Sequence, residues 1–288
     1  SLPVFHVSGL SIIFRAIVGG ARVFIPDDIQ ILYSDNFPEE VTHISVVSTI
    51  LWRIINSNSF ILKEKMKKLK AILVGGGPVP GGLVKTAYEY GWRLYTTYGM
   101  SEMASQITTT LENDTLEHLL TSGKPLIPGS VKLNDKGEIY VRGPTRFEGY
   151  LEDGKLKTPF DEEGWFGTGD LGKWTEDGYL CILGRKDNMF ICAGENIYPE
   201  EIETCILESG YVRRVIVIPQ EDDEYGKVPI AYLDFEENKT EAGLLNYLKT
   251  KLPPIKIPKK FYPFPDALKT PDLKISRTVF TKYRNNHI

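Results

Sequence analysis

Three segments of the chain place acidic, hydroxyl-bearing and glycine residues close together. They are "TTYGMSE" (Thr96 to Glu102), "GWFGTGD" (Gly164 to Asp170) and "LGRKDNMFICAGENIYPEEIE" (Leu183 to Glu203). Taken singly, each segment is typical of a turn, because glycine permits a tight turn and Asp or Ser often stabilises one. A functional interpretation therefore depends on the elements that position these segments.

Up to about residue 110, strand-like and helix-like runs alternate. The strand-like runs are "ARVFIP", "HISVVS", "LKAILVGGGPVP" and "WRLYTTYG", and the helix-like runs are "TILWRIIN", "LVKTAYEYG" and "MSEMASQI". This alternation predicts an α/β fold with a mostly parallel sheet. Ligands of such sheets bind beyond the carboxyl ends of the strands, which is where "GGGPVP" and "TTYGMSE" lie.

The pattern changes twice further along the chain. From about residue 123, "SVKLNDKGEIYVRGP" and "GYLCILGR" predict a small antiparallel β unit. After Asp187, a helix in "YPEEIETCILES", strands in "VRRVIVIPQ" and "PIAYLDF", and a helix in "TEAGLLNYLKTKL" capped by Thr240 predict a small α+β unit. We therefore predict two domains, 1–186 and 187–288, joined by one covalent link at Asp187.

Composition excludes several classes of function. The 288 residues are 42% hydrophobic and 25% charged with a net charge of -4, so no strong attraction to nucleic acid is expected. Three cysteines without CxxC spacing argue against structural zinc and favour a reduced, cytoplasmic setting. No apolar run approaches the roughly 20 residues of a membrane helix, so we expect no membrane insertion. The sequence leaves open whether the protein is a monomer or a homo-oligomer.

The opening residues, "SLPVFHVSGL", lack an initiator Met and are apolar from the start. Natural N-termini are more often polar and frayed. This opening predicts that the chain is the later part of a longer protein.

In their order along the chain, the three segments resemble the core signatures of the adenylate-forming acyl- and aryl-CoA ligase superfamily. These signatures are Tyr-Gly-x-Ser/Thr-Glu, Trp-x-x-Thr-Gly-Asp and Gly-Arg-x-Asp followed by Gly-Glu-Asn-Ile-x-Pro-x-Glu-Ile-Glu. "FHVSG" near the start and "LKISR" near the end match two more, so the resemblance covers nearly the whole chain. Within the superfamily, "SLPVFHVSG", "LWRII", "GGGPVP" and "LKISRTVF" are most similar to the o-succinylbenzoate–CoA ligases of menaquinone biosynthesis.

The resemblance implies a two-step reaction. A small-molecule aryl or acyl carboxylate attacks the α-phosphate of ATP, which gives an acyl-adenylate and pyrophosphate. The thiol of coenzyme A then displaces AMP. The first step brings an anion against a polyanion, so cations, including Mg²⁺, and hydrogen-bond donors must stabilise the charge.

The resemblance also implies a set of nucleotide-binding residues. They are Gly75, Gly76, Gly77, Tyr98, Gly99, Asp170 and Arg185. The three consecutive glycines would let the backbone approach the adenine closely, and Tyr98 would lie against the face of the base. The carboxylate of Asp170 would accept from two ribose hydroxyls, and Arg185 would also reach the ribose.

The catalytic residues implied in the same way are Lys274, Glu102 and Ser101. Glu102 would bind Mg²⁺, since one carboxylate with phosphate oxygens and waters suits that ion. Ser101, in place of the more usual Thr, would donate to the α-phosphate. Lys274 would bridge the substrate carboxylate and the α-phosphate, although Leu273 stands where many members of the superfamily have Gly.

The apolar runs of "LGRKDNMFICAGENIYPEEIE" break twice, first at Gly-Arg-Lys-Asp and then at Ala-Gly-Glu-Asn. The superfamily offers an interpretation of both breaks. Lys274 is needed at the α-phosphate in the first step, whereas a thiol must reach the acyl carbon in the second. The C-terminal domain is expected to rotate between the steps about the hinge residue Asp187. The rotation would present the loop of Ala193 and Gly194 to the tunnel for the pantetheine arm of coenzyme A. The alternative for Gly194 is an ordinary turn glycine.

Two further residues have weaker assignments. His6 matches a histidine of the acyl pocket in the superfamily, and Arg53 could pair with the second carboxylate of a succinylbenzoate. The alternatives are a structural histidine and an arginine on a solvated helix face.

The superfamily's Ser/Thr/Gly-rich phosphate loop is expected before "SLPVFHVSG" and does not occur in this sequence. Its backbone donors for the β- and γ-phosphates are therefore not supplied by these residues. Three interpretations stay open: an o-succinylbenzoate–CoA ligase, another acyl- or aryl-CoA ligase, and a non-catalytic nucleotide-binding module.

Overall fold

The computed structural model describes residues 2–268 and 277–287. The backbone divides into two compact units, Ser1–Ile182 and Leu183–Ile288. The division falls shortly before Asp187, the residue at which the sequence predicts the domain boundary. That predicted boundary and the single covalent link remain predictions.

A five-stranded sheet with helices forms the first part of the first unit. The strands are β1 (His43–Val46), β2 (Ala71–Val74), β3 (Leu94–Met100), β4 (Ser105–Thr109) and β5 (Lys124–Pro125), in that order across the sheet. The helices are α1 (Val7–Val18), α2 (Ser48–Ile55), α3 (Phe60–Lys68), α4 (Gly81–Glu89) and α5 (Leu116–Leu119). Strands β1, β2 and β3 pair in parallel, whereas β4 runs antiparallel to both β3 and β5. The α/β class is confirmed, with a mixed sheet.

Apolar periodicity explains the packing of this sheet. Ile72 and Val74 alternate along β2 with less buried neighbours, as expected for a strand with one face in the core. Helix α2 buries four residues at helical spacing, namely Ile50, Leu51, Ile54 and Ile55. The shared register of β1, β2 and β3 brings the segments that follow these strands to the same end of the sheet.

Two sequence predictions in this unit are wrong. "MSEMASQI" is not a helix: a short 3-10 turn, Ser101–Met103, is followed by Ala104 in the left-handed region and then by β4. The β-branched run in β4 pairs back onto β3, and this pairing overrides the local helical pattern. "ARVFIP" belongs to no helix and to no strand ladder among the described residues. Strand propensity alone gives no strand where no hydrogen-bonding neighbour lies alongside.

A second, antiparallel sheet completes the first unit and crosses its boundary. Its strands are β6 (Val131–Leu133), β7 (Glu138–Val141), β10 (Phe166–Trp174) and β11 (Leu180–Arg185), in the order β11-β10-β7-β6. A separate hairpin consists of β8 (Tyr150–Glu152) and β9 (Lys155–Lys157). The predicted strands in "SVKLNDKGEIYVRGP" and "GYLCILGR" are confirmed.

The second unit has a three-stranded sheet with both faces buried. Its elements are the hairpin β12 (Phe190–Cys192) and β13 (Glu195–Ile197), helix α6 (Pro199–Glu208), strands β14 (Val212–Asp222) and β15 (Gly226–Phe235), helix α7 (Glu241–Lys251), strand β16 (Phe261–Pro263) and helix α8 (Arg277–His287). Val215 and Val217 of β14 belong to the core that contains α6 and α7. Ile216 and Ile218 belong to a second cluster with Phe280 of α8. This arrangement explains the unbroken apolar run in β14.

The helix ends in this unit follow the sequence signals. Pro199 occupies the first turn of α6 with Glu200 and Glu201, which the helix dipole favours. Thr240 caps α7, because its hydroxyl accepts from the backbone N–H of Gly243. Both predicted helices are confirmed. All helices in the described part of the chain are too short or too polar to cross a membrane.

Candidate nucleotide-binding site

The end of β3 positions the first candidate residues. Gly99 lies so close to β4 that an added Cβ would come within 2.0 Å of the Ser105 carbonyl oxygen, so only glycine fits there. Ser101 and Glu102 follow in the 3-10 turn. Ala104 and Ser105 then have φ values of 52° and 116°, which are strained for residues with a side chain. The tight turn displays Ser101 and Glu102 at the carboxyl end of the strand.

A hydrogen bond joins two of the sequence segments. Tyr98 on β3 donates its hydroxyl to Oδ2 of Asp170 on β10 at 2.6 Å. The backbone N–H of Asp170 donates to Oγ1 of Thr168 at 3.1 Å, and Thr168 in turn donates to the Ile139 carbonyl at 2.9 Å. "TTYGMSE" and "GWFGTGD" are therefore in direct contact. This contact could not be predicted from the sequence, because the two residues are 72 positions apart.

Glu102 has two partners that the sequence analysis also missed. The backbone N–H of Phe147 donates to its carbonyl oxygen at 2.8 Å, and the Tyr150 hydroxyl donates to its Oε1 at 3.0 Å. Both partners lie in or next to the β8–β9 hairpin. No local signal marks them, since 48 positions separate Tyr150 from Glu102.

The donor set at Glu102 fits a magnesium ion bound together with a nucleotide. Within residues 2–268 and 277–287, no group of three or more His, Cys, Asp or Glu side chains could hold a metal alone. One carboxylate that is completed by phosphate oxygens and waters is the arrangement Mg²⁺ favours. The assignment of Glu102 to the metal remains a prediction.

The glycine run after β2 lies beside the end of β3. An added Cβ on Gly75 would come within 2.6 Å of Thr97 Cγ2 and 2.9 Å of the Thr97 carbonyl oxygen. Gly76 has a φ of 85°. No atom comes within 4 Å of a Cβ built on Gly77. Packing against β3 thus explains the first glycine, backbone conformation explains the second, and the third borders open space where a ligand could approach the backbone.

The predicted hinge lies in an exposed turn of the second unit. The carbonyl of Arg185 accepts from the N–H groups of Asn188 and Met189, both at 3.1 Å. Arg185 Nη2 lies 3.8 Å from Oδ2 of Asp187, whose side chain is 81% exposed. A surface turn of this kind can change its backbone angles without loss of core packing. The assignments of Arg185 to the ribose and of Asp187 to a hinge remain predictions.

The second break in that segment is a β-hairpin turn. Ala193 and Gly194 have φ values of 47° and 87° between the paired strands β12 and β13. Two consecutive residues with positive φ are typical of a type I′ turn. The Ala193 N–H donates to the Tyr225 carbonyl at 3.0 Å. Both residues are exposed, and no atom lies within 4 Å of a Cβ built on Gly194.

The remaining candidates have different surroundings. His6 is exposed at the start of α1, with its ring 4.7 Å from that of Phe5. Arg53 donates to the Tyr33 hydroxyl at 3.2 Å, with its guanidinium 5.3 Å from the Tyr33 ring centroid. Arg53 thus has a partner within the protein, and both of its interpretations remain predictions. Lys274 lies outside the described residues.

A charged network that the sequence analysis missed anchors the start of α8. Arg277 is the last residue of the "LKISR" motif. Its Nη1 lies 2.9 Å from Oε1 of Glu200, and its Nη2 donates to Oε2 of Glu203. Glu203 also accepts from the Val217 N–H at 2.7 Å. Burial raises the pKa of Glu203 to about 7, against the opposing effects of Arg277 and this N–H.

Comparison with known proteins places both units in one family. The family model of the AMP-binding enzymes matches residues 1–151. The model of the C-terminal domain of these enzymes matches residues 201–274, and thus ends at Lys274.

Individual relatives and solved structures support the same family. The 2-succinylbenzoate–CoA ligase of Listeria monocytogenes serotype 4b (strain F2365) is 37% identical over 96% of this chain and 59% of its own length. A variant of E. coli MenE with bound OSB-AMS is 34% identical with a TM-score of 0.80, over 99% of this chain and 59% of that one. MenE from Bacillus subtilis, in complex with ATP and magnesium ion, is 35% identical with a TM-score of 0.78, over 91% and 56%.

The chain spans about 59% of the length of the curated relatives it matches. Three findings support the same family. They are the sequence resemblance to an adenylate-forming superfamily, the contact between two of its signature segments, and the match of the family model over more than half of the chain. The chain belongs to the family of AMP-binding enzymes.

Proposed function

We propose that the natural polypeptide carrying this sequence is a 2-succinylbenzoate–CoA ligase. It activates o-succinylbenzoate with ATP and Mg²⁺ as an acyl-adenylate, and then transfers the acyl group to coenzyme A. The proposal includes a cytoplasmic location, since the described helices include none that could cross a membrane and the curated relatives are CoA ligases.

The observation that carries the proposal is the hydrogen bond between Tyr98 and Asp170. It holds the residue expected at the adenine beside the residue expected at the ribose. Glu102 follows in the 3-10 turn at the end of the same strand, in which Thr97 lies against Gly75 of the glycine run. The order of the expected adenine site, the expected ribose site and the proposed metal-binding carboxylate matches the layout of one ATP molecule.

The described residues can perform three tasks in the first step. Tyr98 and the glycine run bind the base, and Asp170 binds the ribose hydroxyls. Ser101 is exposed at the strand end, and its hydroxyl donates a hydrogen bond to a non-bridging oxygen of the α-phosphate. The carboxylate of the substrate attacks this phosphorus, and pyrophosphate leaves. Hydrogen bonds that are already in place lower the barrier, because little reorganisation is needed as charge develops.

Glu102 would hold the magnesium ion, which neutralises phosphate charge when bound. Lys274 is proposed to add a second positive charge at the substrate carboxylate and the α-phosphate. In the second step the coenzyme A thiolate attacks the acyl carbon, and AMP leaves with the electron pair of the broken C–O bond. Ala193 and Gly194 are proposed to border the pantetheine arm, where small side chains leave room.

The choice of o-succinylbenzoate rests on the relatives. The E. coli and B. subtilis MenE structures carry OSB-AMS and OSB-AMP, and the curated relatives are 2-succinylbenzoate–CoA ligases. The two other interpretations are a ligase for a different carboxylate and a module that binds nucleotide without catalysis.

A carboxylate panel tests the proposal. The natural polypeptide is supplied with ATP, Mg²⁺, coenzyme A and either o-succinylbenzoate, benzoate, succinate or malonate. Pyrophosphate release and the mass of the thioester are measured. We expect kcat/KM for o-succinylbenzoate to exceed the others by about 100-fold or more, since loss of either carboxylate or the ring leaves pocket groups unpaired. Preference for another acid would identify a different ligase, and nucleotide binding without pyrophosphate would identify the non-catalytic module.

A further inference from the structure

We propose that Tyr150 is a positioning residue for Glu102, whose phenol holds the Glu102 carboxylate in the orientation that receives the nucleotide-bound magnesium ion. The inference rests on the proposed function, which assigns the metal to Glu102. The Tyr150 hydroxyl donates to Oε1 of Glu102 at 3.0 Å. Outer partners of this kind orient metal ligands and commonly change metal affinity by about 10- to 100-fold.

Glu102 needs such a partner because its side chain is long. Fixing a long, flexible glutamate side chain on binding costs more rotamer entropy than fixing a short side chain. The backbone of Glu102 is held by the Phe147 N–H at 2.8 Å, but that bond leaves the side-chain torsions free to rotate. The hydrogen bond from Tyr150 restricts the carboxylate before any ligand arrives.

Ring packing on one side restricts the position of the Tyr150 hydroxyl, while 40% of the residue is exposed. Its ring lies edge-on to that of Phe147, with centroids 4.8 Å apart and an interplanar angle of 71°. It also contacts the ring of Phe166, with centroids 6.5 Å apart. Phe166 begins β10, the strand that carries Asp170. The phenol ring therefore contacts the strand that carries Asp170, the other candidate carboxylate.

The hairpin that carries Tyr150 leaves no room for a side chain at Gly149. Gly149 has a φ of 147°, and an added Cβ would come within 2.3 Å of the Lys157 carbonyl oxygen. Tyr150 then pairs with Lys157, and the strands are joined by Asp153 and Gly154, with φ values of 50° and 74°. This two-residue turn fixes the register of the hairpin, and with it the face on which Tyr150 lies.

A purely structural role is the competing explanation. The same hydrogen bond could only tie the hairpin to the strand end, with no consequence for the metal. Tyr150→Phe separates the two roles, because it removes the hydroxyl and retains the ring contacts. Tyr88→Phe is the matched control, since Tyr88 is an exposed tyrosine on α4 and belongs to no part of the cluster around Glu102.

Metal binding is measured without turnover. Mn²⁺, as a probe for Mg²⁺, is titrated without carboxylate substrate into the natural polypeptide, which is kept in molar excess over ATP so that the nucleotide is bound to protein. Free Mn²⁺ is followed by electron paramagnetic resonance. We expect Tyr150→Phe to weaken Mn²⁺ binding about tenfold, Glu102→Gln to weaken it further, and Tyr88→Phe to leave it unchanged. A crystal structure of Tyr150→Phe should show the Glu102 carboxylate in more than one rotamer.

The outcomes distinguish the role of Tyr150 from the assignment of the metal to Glu102. If Glu102→Gln weakens Mn²⁺ binding while Tyr150→Phe binds it like the unmodified protein, the role of Tyr150 is refuted and the proposed function stands. An equal loss in Tyr150→Phe and Tyr88→Phe, or a single unchanged Glu102 rotamer in Tyr150→Phe, refutes that role as well. If Glu102→Gln binds Mn²⁺ as well as the unmodified protein, the assignment of the metal to Glu102 fails, and the positioning role fails with it.

Discussion

Each of the two candidate carboxylates accepts a hydrogen bond from a tyrosine hydroxyl. Tyr98 donates to Asp170, and Tyr150 donates to Glu102. A neutral phenol can orient a carboxylate without neutralising its charge, so both acids stay available to a ribose or a metal. At the scale of single residues, the candidate site is therefore a pair of pre-oriented acids.

A double-mutant cycle tests the first of these pairs. Tyr98→Phe, Asp170→Ala and the double variant are compared by the free energy of unfolding. A hydrogen bond to a charged group contributes about 1.5 to 3 kcal/mol, so we expect a coupling energy of about 1 to 2 kcal/mol. Chemical denaturation without nucleotide measures it. Additive effects would mean that the 2.6 Å contact does not stabilise the fold.

The acids could be predicted from the sequence and their partners could not. Glu102 and Asp170 stand in short motifs, whose residue types and spacing are visible in a few neighbouring positions. Tyr150 comes to Glu102 only through the packing of a hairpin 48 positions further along. Arg277 likewise meets Glu203 across 74 positions. No local pattern in the sequence relates residues that lie so far apart along the chain.

At the scale of elements, the candidate site depends on how closely β2 and β3 approach each other. Strands that follow a regular alternation, such as β1, β2 and β14, could be predicted from the sequence. The helix predicted over "MSEMASQI" was wrong, because β4 pairs with β3 and long-range pairing outweighs local propensity. The glycine run after β2 shows the same dependence on neighbours, since its first member is required by contact with Thr97.

Two substitutions in the glycine run should have opposite outcomes. Gly75→Ala brings a methyl group within 2.6 Å of the Thr97 side chain, so we expect about 1 to 3 kcal/mol of destabilisation. Gly77→Ala meets no atom within 4 Å and should stay within about 0.5 kcal/mol of the unmodified protein. Urea denaturation of both variants measures the difference. Similar losses would show that the strands do not approach as closely as described.

The contact between α6, β14 and α8 predicts a pH dependence. The pKa of Glu203 is raised from its ordinary value of 4.5 to about 7, chiefly by burial. The folded state therefore binds the Glu203 proton more tightly than the unfolded state does. The stabilisation is fully present below about pH 4.5 and is lost as the pH rises through about 7.

Hydrogen exchange measures this effect within the second unit. After correction for intrinsic exchange rates, the protection of β14 amides should fall by about 1 to 3 kcal/mol between pH 4.5 and 7.5, at about 1.4 kcal/mol per pKa unit. Glu203→Gln cannot ionise at this position, so its protection should stay level over the same range. A parallel decrease in both proteins would assign the pH dependence to other groups.

At the scale of the whole molecule, the chain carries two units, and the residues proposed for the two-step reaction are divided between them. Glu102 and Asp170 belong to the first unit, whereas Asp187 and Gly194 belong to the second. The change of pattern near the Arg-Lys-Asp turn predicts two domains, and the boundary at Asp187 remains a prediction. A rotation of one unit relative to the other remains a proposal that rests on the resemblance to the superfamily, because a rotation leaves no signal in composition or periodicity.

The central claim is that one polypeptide catalyses two steps with different residues of its second unit. Lys274→Ala and Gly194→Leu are made in the natural polypeptide, and both half-reactions are measured: pyrophosphate release, and thioester yield from a synthetic acyl-adenylate. Lys274→Ala should reduce adenylate formation about 100-fold or more and spare thioester formation, because a preformed adenylate has already passed the transition state that the lysine stabilises. Gly194→Leu should do the reverse, since its side chain would obstruct the pantetheine arm. Equal loss of both half-reactions in both variants would contradict the account.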